Sequence, residues 1–104
     1  MNANIQRIFD DRDRAVHLAH KLSDFAERNW ATPSLEDLDQ RRELYVIAYD
    51  TRRNDLVVEP RLYDFTELGA SMLYFSKKKV AEEAIKEFRD ELFWYFTGSR
   101  IWVL

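Results

Sequence analysis

Residues 72–98, MLYFSKKKVAEEAIKEFRDELFWYFTG, decide how the chain is read. The stretch opens as the end of an apolar strand, Ala70 to Phe75, and passes through Ser76 as a helix N-cap. It continues as an amphipathic helix whose inner face is Val80, Ala81, Ala84, Ile85, Phe88, Leu92, Tyr95 and Phe96, spaced at three and four residues. The other face carries the i,i+4 pairs Glu82–Lys86 and Lys86–Asp90. Gly98 suits the position just past the helix end.

Upstream, Glu43 to Asp50 is the strongest strand. Tyr45, Ile47 and Tyr49 alternate with Leu44, Val46 and Ala48, so both faces are apolar and both require cover. Thr51-Arg52-Arg53-Asn54 is a polar hairpin loop, and Asp55 to Glu59 returns as a second strand. Pro60 either stops that strand or marks it as a sheet edge. Arg61 to Gly69 reads as irregular. Ile5 to Trp30 forms one long helix: Ile5, Ile8, Ala15, Ala19, Leu22 and Ala26 make a stripe interrupted by Arg12, and Phe9, Val16, Leu18 and Phe25 widen it. Such a helix needs a partner, either the body of its own chain or the same helix of a second copy. Pro33 ends this segment, and Ser34 with Asp37 forms an acidic variant of the capping box before a short helical turn. The expected fold is α+β: a long N-terminal helix, a three-stranded antiparallel sheet made of a hairpin plus one strand, and a C-terminal amphipathic helix packed on the sheet. Residues 1–33 form a helical arm and 34–104 an α+β core within one compact unit. The apolar end, Ile101 to Leu104, is expected to pack back on the sheet, add a strand or meet another chain.

A length of 104 residues fits a single core without metal or disulfide support. With 46% apolar residues, 14% aromatics and only two Gly and two Pro, the chain is not of the disordered class. The absence of cysteine removes disulfides and thiol chemistry. No apolar run is long enough for a bilayer span, and the first residues lack the charged-then-apolar order of a secretion signal, so a cytoplasmic location and no membrane association are expected. Sixteen basic and 19 acidic residues are interspersed, for a net charge of −3, which matches neither a basic nucleic-acid binder nor a DNA mimic.

Candidate sites lie at the ends of the organising stretch. Lys77, Lys78 and Lys79 stand at a helix N-terminus, where with Ser76 and free backbone N–H groups they suit an anion. Arg52 and Arg53 at the hairpin tip would extend such a patch. A solvated lysine run beside Glu82 and Glu83 is the plain alternative. Phe93, Trp94 and Trp102 exceed what one helix face can bury and are candidates for a partner interface, against a wrapped core as the alternative. Glu36, Asp37 and Asp39 form an acidic knot, either a recognition surface for a basic groove or a capped, solvated turn. His17 and His20 with Asp13 and Asp24 have ligand spacing but no second cluster to complete a metal site, so neither metal nor cofactor is expected. No Gly-rich phosphate loop and no nucleophile elbow are present, and an enzyme is not expected.

Leu73-Tyr74-Phe75-Ser76, then Ala81-x-x-Ala84-Ile85 and Asp90-Glu91-Leu92-x-Trp94-Tyr95-Phe96, preceded by Tyr45-Val46-Ile47-Ala48-Tyr49-Asp50, resembles a pattern in small phage and prophage proteins of Gram-positive bacteria. The likeness covers about Leu44 to Gly98 and rests on structural motifs. It implies a mobile-element origin and action by binding a host or phage protein; inhibitors of CRISPR nucleases are a prominent class among such proteins. The three lysines after the cap and the apolar tail depart from the pattern. The expected function is therefore protein–protein binding, with a homodimer expected and inhibition of a host defence nuclease as one form it would take. The alternative is a nucleic-acid or nucleotide-binding module built on the lysine cluster.

Overall fold

The structure, a computed structural model, describes residues 3–40, 42–62 and 73–99. In chain order its elements are α1 (Ala3–Arg28), α2 (Leu35–Asp39), β1 (Glu43–Asp50), β2 (Asp55–Leu62), α3 (Lys78–Glu87) and α4 (Arg89–Phe93), followed by a π-helical turn, Trp94–Gly98. The architecture is α+β with a long N-terminal helix, as the sequence predicts. The chain measures 46 × 27 × 27 Å, and α1, at 1.5 Å per residue about 39 Å long, accounts for most of the long axis.

Among the described residues the sheet has two strands, not the expected three. β1 and β2 pair antiparallel from Glu43↔Leu62 to Asp50↔Asp55, around the predicted loop 51–54. The Asp50 carboxylate closes that loop by accepting the Arg52 N–H at 2.9 Å, and Asn54 takes the left-handed conformation (φ 52°) that Asn tolerates. Of the proposed third strand, residues 70–72 lie outside the described residues. Phe75 meets β1 only as an isolated bridge, exchanging both backbone hydrogen bonds with Tyr45 at 2.8 Å. The chain then leaves the sheet: the Ser76 N–H donates to the Ala31 carbonyl at 2.8 Å, and the next helix starts at Lys78.

That bridge also explains Pro60. Tyr45 spends its N–H and C=O on Phe75, so its pairing with Pro60 on the other side is a non-hydrogen-bonded one. The proline's missing N–H faces the open edge and costs the ladder nothing, and β2 continues past it to Leu62.

The C-terminal helix is short. It spans Lys78–Glu87 and breaks at Phe88, whose φ of −116° and ψ of 28° lie outside the helical range. No Gly or Pro causes the break. Phe88 packs edge-on against Phe25 of α1, centroids 5.6 Å apart, and the chain re-enters helix as α4. The expected inner face survives the break: Val80, Ala81, Ala84, Ile85, Leu92 and Tyr95 are buried, and Phe88 and Phe96 are half-buried. Two end signals are read differently by the structure. Ser76 is not the cap; Lys77 holds that position with no side-chain bond. Gly98 does not take a left-handed conformation but sits inside the π turn, which ends as Ser99 donates its N–H to the Trp94 carbonyl and its hydroxyl to that of Tyr95, both at 2.8 Å.

The core lies between the Tyr45–Ile47–Tyr49 face of the sheet, α3, α4 and the second half of α1, with Phe75 fully buried at its centre. On the other face of β1, Leu44 and Val46 are also buried, as a doubly apolar strand requires.

Candidate functional site

Helix α1 has two apolar faces. At 100° per residue, Leu18, Leu22 and Ala26 centre on one direction and are buried against the body. Ile5, Phe9 and Val16 centre on a direction about 120° away and are 45%, 45% and 50% exposed. The broad stripe in the sequence is thus split by the fold into a core-facing seam and an outward ridge. Arg12 lies between the two.

A ladder of contacts running antiparallel fastens the core-facing side. The Arg14 guanidinium lies over the Trp94 ring at 3.9 Å, Lys21 Nζ pairs with Glu91 at 2.9 Å, and Phe25 packs on Phe88. Between this ladder and the sheet runs an apolar cavity of about 340 Å3, walled by Ala15, Ala19 and Leu22 of α1 and by Ile47, Phe75 and Leu92. Arg12 and Val16 stand at the α1 side of the same cavity.

The aromatic end is accommodated by turning its members to different neighbours. Tyr95 is buried. Phe93 packs edge-on against Tyr49 with Arg89 over its ring, Trp94 lies under Arg14, and Phe96 rests on Tyr95 and lines the cavity. Phe93 and Trp94 are half-buried and keep part of their surface in solvent. Trp102 lies outside the described residues.

The acidic knot is knitted into the start of α2. Ser34 N–H donates to Asp37 Oδ2 at 2.9 Å and Asp37 N–H to Ser34 Oγ at 3.1 Å, so the predicted capping box is formed. Arg42 pairs with Asp37 at 3.1 Å and with Glu36 at 3.6 Å. The Ser34 backbone bond, then its hydroxyl and Arg42, hold the Asp37 carboxyl below the usual carboxylate range. Asp39 is exposed. Lys77, Lys78 and Lys79 are exposed at the uncapped start of α3, with Ser76 half-buried behind them; Arg52 and Arg53 are exposed at the hairpin tip. Arg53 reaches Asp50 at 3.7 Å. Among the described residues no group of three or more His, Asp or Glu is placed to hold a metal ion, and no helix is long and apolar enough to cross a membrane.

One residue escaped the sequence reading. Trp30 is 84% exposed and has φ 57°. It is the C′ residue of a Schellman motif: Ala31 N–H reaches the Ala26 carbonyl at 2.8 Å and Trp30 N–H the Glu27 carbonyl at 3.2 Å, while Ala26 and Ala31 bury against the core. A signal was present, since no glycine follows Arg28 to take the left-handed position before Pro33.

No family model matches the sequence, and neither a curated protein nor a solved structure shows significant similarity to it. The phage-like pattern therefore rests on its own residues.

Proposed function

We propose that this protein acts by protein–protein binding, and that the ridge Ile5–Phe9–Val16 is its binding surface. The observation that carries the reading is the ridge itself: three large apolar side chains on one side of a helix whose other apolar side is already used. Isolated exposed apolar residues are ordinary, but a row at i, i+4 and i+11 has the spacing by which a helix is read by a groove or by another helix. An apolar row of this kind matches the same row on a second copy related by a two-fold axis, which makes a homodimer one form the binding takes. The resemblance in the sequence favours a host or phage protein as the target, a defence nuclease being one such class.

Light scattering at about 50 μM, where a dimer of micromolar affinity forms, tests the self-association. A dimer mass for the natural chain and a monomer mass for Ile5→Glu/Phe9→Glu is expected. A monomer at that concentration, or a dimer in both, removes the homodimer through this ridge.

A further inference from the structure

We propose that the cavity between α1 and the sheet is a binding site for a single-chain amphiphile with an anionic head, such as a medium-chain carboxylate. The walls are hydrocarbon and aromatic, from Ala15, Ala19, Leu22, Ile47, Phe75 and Leu92, so a ligand's buried part is apolar. A volume of about 340 Å3 lies at the lower end of the range of small-molecule pockets, a size suited to a medium-length alkyl chain.

Arg12 sets the sign of the head. It borders the cavity and is exposed. Its neighbours at three and four positions along α1 are Ile8, Phe9, Ala15 and Val16, so the helix offers it no carboxylate at the spacings where ion pairs form. It has neither a hydrogen bond nor an ion pair among the described residues, unlike Arg14, Arg28, Arg42 and Arg89, each of which is engaged. A guanidinium at the rim of an apolar cavity is the arrangement that receives a planar carboxylate whose tail goes inside. A neutral or cationic head forfeits that contact. The site adjoins the protein-binding ridge: Val16 borders both, while Ile5 and Phe9 do not line the cavity.

The test uses the 104-residue chain with decanoate and decyltrimethylammonium below their micelle concentrations and 1-decanol below its solubility limit, followed by amide chemical shifts and calorimetry. Decanoate is expected to bind saturably at one site, shifting the amides of Ala15, Ala19 and Leu92, and to bind about tenfold more tightly than the cationic probe. Arg12→Gln is expected to remove that preference while leaving 1-decanol binding unchanged, and Ala19→Phe to abolish both. Should Ala19→Phe not fold, Ala15→Leu makes the same test by partial filling. Decanoate binding that does not saturate, that is matched by the cationic probe, or that is untouched by Arg12→Gln overturns the proposal. So does a set of cavity shifts that respond to protein concentration and not to decanoate, which assigns the space to a second copy.

Discussion

The Arg14 guanidinium lies 3.9 Å from the centre of the Trp94 ring and joins the first helix to the last turn of the structure. Removing either partner frees the other for solvent. The two substitutions Arg14→Ala and Trp94→Leu should therefore be less than additive, with a coupling of about 0.5–1 kcal/mol in a urea double-mutant cycle. Strict additivity would show that the stacking contributes nothing.

Trp30 holds a left-handed backbone (φ 57°) that L side chains adopt at a cost of about 1–2 kcal/mol, and its side chain, 84% exposed, recovers little of it by burial. Trp30→Gly should stabilise the chain by about 1 kcal/mol, read as a higher urea midpoint with unchanged slope. A stabilisation unaccompanied by any change in partner capture would make the tryptophan a tolerated residue, whereas lost capture would give the strain a function.

Asp37 and Asp55 give the stability an acid limb. Backbone N–H donors, from Ser34 to Asp37 and from Leu56 to Asp55, followed by Arg42 and Arg89, hold both carboxyls below the usual range. The unfolded chain takes up these protons first, at about pH 3.9. The stabilisation is thus present above that value and lost as the pH falls through the lower folded one. The urea midpoint should fall between pH 5 and pH 3, and fall less in Asp37→Asn/Asp55→Asn. An equal fall in the variant would assign the acid limb to other groups.

Phe75 is fully buried at the junction of sheet, α3 and cavity. Phe75→Ala should cost about 3–5 kcal/mol, a large share of the roughly 5–15 kcal/mol of a typical domain. Lys77→Gln/Lys78→Gln/Lys79→Gln, all exposed at an uncapped helix start, should instead leave the midpoint unchanged or raise it slightly. Salt-sensitive binding of single-stranded DNA by the natural chain, lost in that lysine variant, would favour the nucleic-acid alternative.

Much of the fold was legible because local signals and packing agree. The β1–β2 hairpin, the Ser34–Asp37 capping box and the inner face from Val80 to Tyr95 all appear where alternation, capping chemistry and helical spacing place them. The failures have tertiary causes. Nothing within 72–76 shows that Phe75 makes a single bridge to Tyr45 before Ser76 turns to Ala31. The break at Phe88 coincides with its contact with Phe25, 63 residues earlier, and with no helix breaker. Nor does periodicity divide the α1 stripe: Ile5, Phe9 and Val16 are as apolar as Leu18 and Leu22, and only the placement of the body decides which of them face water. The candidate site therefore moves from the ends of the C-terminal stretch to α1.

The direct measure of the central claim is the amount of partner captured from host lysate by the natural chain, by Ile5→Glu/Phe9→Glu, and by a control with Arg7→Glu/His17→Glu away from the ridge, all three matched in helicity and urea midpoint. Capture of the same protein by the natural chain and the control, and its loss with the ridge variant, is the predicted result. Equal capture by all three would contradict the assignment of the binding surface to α1.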